Sequence, residues 1–144
     1  MISKLLISFL LMALCVMTHA IGIIMSFRRV NSSTALVDSR FWVPIWCLIQ
    51  VAGWLIVLHI FEISLWAVFY LVGNAMPDLP SALYFSSVTY TTVGYGDLVL
   101  PEKWRLVGGI EALTGILMCG WSTGFFFALV NRMHKPRQND TAGN

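Results

Sequence analysis

Residues Thr91, Thr92, Val93, Gly94, Tyr95, Gly96 and Asp97 place two glycines, an aromatic ring and a terminal acid between two long apolar runs. In an extended strand successive carbonyls point to opposite sides. Turning them to one side requires positive φ at alternate residues, which glycine adopts at least cost. Val93, Gly94, Tyr95 and Gly96 carry that alternation. The carbonyls of Thr92, Val93, Gly94 and Tyr95 would then form a strip of neutral oxygens, with the Thr92 hydroxyl at its inner end. The Val93 and Tyr95 side chains would point away and pack against the short helix. Such oxygens replace the hydration shell of a cation without holding it too tightly to leave. Asp97 at the outer mouth would concentrate cations. One chain supplies one strip, and a strip cannot surround an ion. Several copies must therefore share an axis.

A second set of ionisable side chains lies inside apolar runs, where such groups are expensive and usually partnered. His59 and Glu62 are three apart and share a helix face. Counting residues puts Glu62 roughly 15 Å and Glu111 roughly 9 Å below the outer ends of their helices. Those depths allow one buried polar cluster of His59, Glu62 and Glu111. It reads either as a proton-sensitive gate or as a structural hydrogen-bonded group. His19 with His59 raises haem ligation as another class of function. The same counting puts His19 roughly 12 Å and His59 roughly 28 Å above the cytoplasmic end, whereas axial ligands must share a depth. His134 reads as solvated. Cys15, Cys47 and Cys119 each sit in an apolar segment and read as small apolar side chains, not a disulfide framework. No catalytic, metal-ligand or phosphate-loop spacing is present, so no enzyme and no cofactor is expected.

The elements that must position these residues follow from hydropathy. Hydrophobic residues make up 58% and charged residues only 11% of the 144. A soluble domain carries about 25% charged residues, so the composition is that of an all-α integral membrane protein. A net charge of +2 is too small to argue for nucleic acid. Leu5 to Phe27 is an apolar run of about 23 residues, enough to cross the bilayer, inside an N-terminal transmembrane helix over 1–30. Phe41 to Val72 is a second run, longer than a span needs, so it must tilt or start in the interface. Trp42 and Trp46 suit an interfacial belt there, and Pro44 is tolerable in a first turn. Trp104 to Val130 is the third. A polar tail over 133–144 leaves no room for a regulatory domain, and no span carries the regular arginines of a voltage sensor.

Arg28, Arg29 and Arg40 follow the first run, and Arg132, Lys135 and Arg137 follow the third. Positive-inside bias puts both groups in the cytoplasm and the N-terminus outside, with Lys4 opposed. A cleaved signal peptide ending at Ala20 is the rival reading of the first run, but the apolar stretch continues to Phe27. Between the second and third runs, Pro80 can open a helix with Asp78 just ahead of it. Residues 80–91 give about three turns, roughly 16 Å, half a bilayer. Irregular backbone at that depth must be buried in protein or line water. The segment therefore reads as a re-entrant loop.

On these residues the chain resembles the tetrameric P-loop potassium channels, small bacterial-type members included. The resemblance covers roughly 41–132 as a pore domain, with outer helix 41–72, pore helix 80–91, filter 92–97 and inner helix 104–130. It implies passive potassium transport through a homotetramer in the lipid bilayer, with Thr92, Val93, Gly94, Tyr95 and Gly96 binding K+ through the filter. A bacterial inner membrane follows from size and simplicity. A channel-like subunit that does not conduct is an alternative. The inner helix of the family bends at a glycine, matched here by Gly115 and Gly120. Close packing is the competing role, notably in the Gly120 to Gly124 small-xxx-small spacing. Tyr84, Phe85 and Thr91 stand where filter support is expected. Phe85 lacks the indole donor that many relatives offer the filter tyrosine, and Tyr84 is the candidate substitute. Val88 stands where some bacterial channels carry a pore-helix glutamate.

Overall fold

The computed structural model describes residues 2–32 and 40–133. His134, Lys135, Arg137 and the rest of the tail lie outside the described residues. Four α-helices follow in order: α1 (Ile2–Asn31), α2 (Trp42–Val72), α3 (Leu79–Tyr90) and α4 (Arg105–Met133). A 3-10 turn, Glu102–Trp104, leads into α4. The helices α1, α2 and the stretch from Glu102 to Arg132 are each long and apolar enough to cross a membrane. No strand occurs among the described residues.

The short helix α3 starts where the sequence directs. Asp78 takes an extended N-cap conformation, and its carboxylate accepts the Ser81 amide at 2.8 Å. That satisfies one of the amides left unpaired at a helix start. Pro80 sits inside the first turn, where its missing N–H costs nothing. At the other end α2 stops at Gly73, packed against the Trp104 ring.

Helix α1 runs antiparallel to α2 and parallel to α4. Its pairings with α2 descend in order. The Trp54 indole donates to the Gly22 carbonyl at 3.1 Å, Leu58 fills the space over Gly22, and His19 meets Glu62. With α4 they ascend. The Lys4 ammonium lies 3.7 Å from the Trp104 ring centroid, His19 meets Ser122, and Arg132 donates to the Asn31 side chain at 2.8 Å. The N-terminus of α1 thus shares a side with the start of α4, and its Arg28 and Arg29 end shares the other with Arg132. Helix α1 continues unbroken past Ala20, and the part a signal peptidase would remove holds buried Cys15 and His19.

The main core lies around α3. Trp66 and Tyr70 of α2, Ala82 and Tyr90 of α3, and Val107 and Met118 of α4 are buried together, with Cys15 of α1 beside them. All three cysteines are free.

Candidate functional site: a glycine-rich strip hung from a half-helix

The strip begins where α3 ends. The amides of Thr92, Val93 and Gly94 turn back onto α3, donating to the Thr89 carbonyl (2.9 Å) and twice to the Val88 carbonyl (3.0 and 3.2 Å). A trans peptide points its N–H and the preceding C=O in opposite directions within one plane. The carbonyls of Thr91, Thr92 and Val93 are therefore aimed away from α3. Gly94 has φ 55° and Gly96 φ 77°. Thr92 extends the alternation with φ 61°, a conformation that is unfavourable for a β-branched residue. The sequence offers no sign of this, because threonine is not a residue chosen for positive φ.

No atom lies within 4 Å of where a Cβ on Gly94 or Gly96 would stand. Val93 and Tyr95 are 53% and 72% exposed, so the packing on the short helix expected of them is largely missing within one chain. Among the described residues the strip thus has backing from α3 on one side and open space on the other.

The supporting residues have partners of their own. The Tyr84 hydroxyl donates to the Asp97 carboxylate at 2.7 Å, so it serves the mouth of the strip and not Tyr95. This bond holds the Asp97 carboxyl below the usual carboxylate range. Phe85 packs edge-on against Tyr70, with ring centroids 5.4 Å apart. The Thr91 hydroxyl donates to the Ser87 carbonyl at 2.7 Å, back into α3. Gly115 is a site of close approach: a Cβ there would lie 1.9 Å from the Tyr90 carbonyl oxygen. Gly120 and Gly124 meet nothing within 4 Å, so their small-xxx-small spacing packs on no described residue of the chain.

The expected single polar cluster is instead two networks, one turn apart along α3. Glu111 accepts from Tyr70 at 2.7 Å and from Ser86, whose hydroxyl also lies 3.1 Å from the Ile63 carbonyl. Glu62 accepts from Tyr90, and His19 Nδ1 lies 2.9 Å from its other oxygen. His59 bridges Tyr90 (3.2 Å) and Ser122 (3.1 Å). His59 and Glu62 stay together, and Glu111 belongs elsewhere.

His19 was placed by counting at a different depth from His59, and the structure corrects this. Their ring centroids lie 5.1 Å apart, with the ring planes tilted by 41°. Helix α1 extends to Asn31, and the first turns of α2 reach beyond it with Trp42 and Trp46 exposed. Depths counted from the two helix ends therefore start from different planes. All four ring nitrogens face Glu62, Tyr90 or Ser122.

The sequence profile of the ion channel family matches residues 45–132, from the first turn of α2 through the strip to the end of α4. The chain belongs to the ion channel family. The chain is 32% identical over 68 residues to the potassium voltage-gated channel protein Shal of Drosophila melanogaster. That alignment covers 46% of the chain and 12% of the relative, so the chain spans about an eighth of the curated relative it matches. No solved structure is significantly similar to it. With three helices long and apolar enough to span, this member of the ion channel family is a multi-pass integral membrane protein.

Proposed function

We propose that the chain forms a potassium-selective pore as a homotetramer, conducting K+ passively along the strip at residues 92–96. The observation that carries this is the backbone of the strip. Thr92, Gly94 and Gly96 have positive φ, while three consecutive amides are pinned to α3. Carbonyls turned off the helix in this way make a row of ion ligands. The exposed flank of the strip supports assembly, because the described residues leave Val93 and Tyr95 largely uncovered. The C-terminal, partially negative end of α3 faces the same region and favours a cation. Asp97, kept ionised by Tyr84, raises cation concentration at the mouth. The orientation that fits the basic residues puts the N-terminus of α1 and the strip's Asp97 end outside, with Arg28, Arg29 and Arg132 at the cytoplasmic face of a bacterial inner membrane.

The test is ion flux into liposomes that contain this protein alone. Potassium and rubidium should enter and sodium should be excluded. Equal sodium and potassium flux would refute selectivity, and no flux would favour the non-conducting subunit.

A further inference from the structure

We propose that His19, His59 and Glu62 form a binding site for one divalent transition-metal ion, with Zn2+ the best fit. Two imidazoles and a carboxylate from α1 and α2 offer ligand atoms that all lie within 4.8 Å of one another. His19 Nδ1 is 2.9 Å from one Glu62 oxygen, and His59 Nδ1 is 3.7 Å from the other. A tetrahedral Zn2+ with bonds of about 2.0–2.1 Å holds its ligand atoms roughly 3.3 Å apart. The two nitrogen–oxygen separations, each to a different Glu62 oxygen, lie on either side of that spacing, so the three side chains would have to draw together around the ion.

The surroundings are arranged as metal-bound imidazoles need. A ligating imidazole uses one nitrogen and donates from the other to an oxygen that fixes its tautomer. The Ser122 hydroxyl oxygen lies 3.0 Å from His19 Nε2 and 3.1 Å from His59 Nε2, placed to accept from both. In the metal-free chain His19 Nδ1–H donates to the Glu62 carboxylate, and a bound ion would take the place of that proton, leaving Nε2 to donate to Ser122. The Tyr90 oxygen, 3.2 Å from His59 Nδ1, flanks the open fourth position.

The donor set decides which ion. Imidazole with a single carboxylate suits Zn2+ and its first-row neighbours, whereas Mg2+ and Ca2+ demand more oxygens. His19 and Glu62 are fully buried, and the His59 side chain keeps 18% exposure. A bound ion would clamp α1 to α2 beside Tyr90, the last residue of α3. This site is separate from the strip at 92–96 and does not depend on conduction.

The test uses chelator-stripped full-length protein without a histidine tag, titrated with Zn2+ and with Co2+. One ion should bind per chain, and Co2+ should give the intense visible bands of tetrahedral nitrogen and oxygen ligation with no thiolate charge-transfer band. His19→Gln and His59→Gln should each weaken Zn2+ binding roughly 100-fold. A variant with Cys15, Cys47 and Cys119 all changed to Ala should bind as the wild type does, and so should His134→Gln. Absent stoichiometric binding, a thiolate or octahedral Co2+ spectrum, or unchanged affinity in the two histidine variants would each overturn the proposal. Should those variants fail to fold, the Co2+ spectrum of the wild type decides alone.

Discussion

Tyr84 and Asp97 are thirteen positions apart, and their hydrogen bond fixes the charge at the mouth of the strip. The hydroxyl stabilises the ionised carboxylate, so the Asp97 pKa is lowered and the negative charge persists as pH falls into the usual carboxylate range. Tyr84→Phe removes the donor and raises that pKa. Potassium current through the variant should then decline at a higher pH than in the wild type, as single-channel recordings across an acidic series would read. An unchanged midpoint would mean that Asp97 does not set the mouth's charge. Gly115 and Gly120 separate just as cleanly. Gly115→Ala drives a methyl into the Tyr90 carbonyl and should lower stability by at least about 2 kcal/mol. Gly120→Ala meets open space and should be neutral or stabilising by up to about 1 kcal/mol. Denaturant unfolding in detergent compares them. The special φ of Gly94 and Gly96 was readable in the sequence, because glycine's backbone freedom is a property of the residue. The packing of Gly115 was not, because it depends on which residue of another helix comes opposite.

At the scale of elements, α3 is held as a short half-helix by its cap and by two carboxylates reaching it from α2 and α4. Ser86→Ala removes a donor from the buried Glu111 and should cost about 1–3 kcal/mol, seen as a lower thermal midpoint with the helix content unchanged. Helix α1 depends on close contact at Gly22, over which Leu58 lies. Gly22→Phe should push α1 off α2 and break the Trp54 indole bond to the Gly22 carbonyl, with a shift in tryptophan fluorescence as the readout. The existence and extent of the spanning helices were legible because twenty apolar residues have few alternatives, and Asp78 with Pro80 marked the start of α3. The relative offset of the helices was not legible. Each helix carries its own ruler of 1.5 Å per residue, but nothing in a sequence sets a common zero. Hence His19, forty-three positions from Glu62, was assigned the wrong depth, and Glu111 was grouped with the wrong network.

For the whole molecule, the outward face of α4 sets the expectation. Leu113, Ile116, Leu117, Trp121 and Phe127 are all exposed, and so are Gly120 and Gly124. Other copies, lipid or a central cavity must meet that surface. Native mass spectrometry from detergent should find four chains, and Leu113→Arg should shift the population toward smaller species. A cysteine placed at Asp78 should react with an impermeant maleimide from outside, and one at Arg132 only from within. Helix α1 is fastened to α4 near its start by Lys4 on Trp104, midway by His19 with Ser122, and at its end by Asn31 with Arg132. If α4 swings about Gly120, the lower two fastenings lie on the moving segment. The swinging body is then a two-rod blade, and it sweeps twice the lateral footprint of a bare helix. The work done against the surrounding acyl chains grows with that footprint, so the ease of the swing becomes a property of the bilayer as well as of the protein.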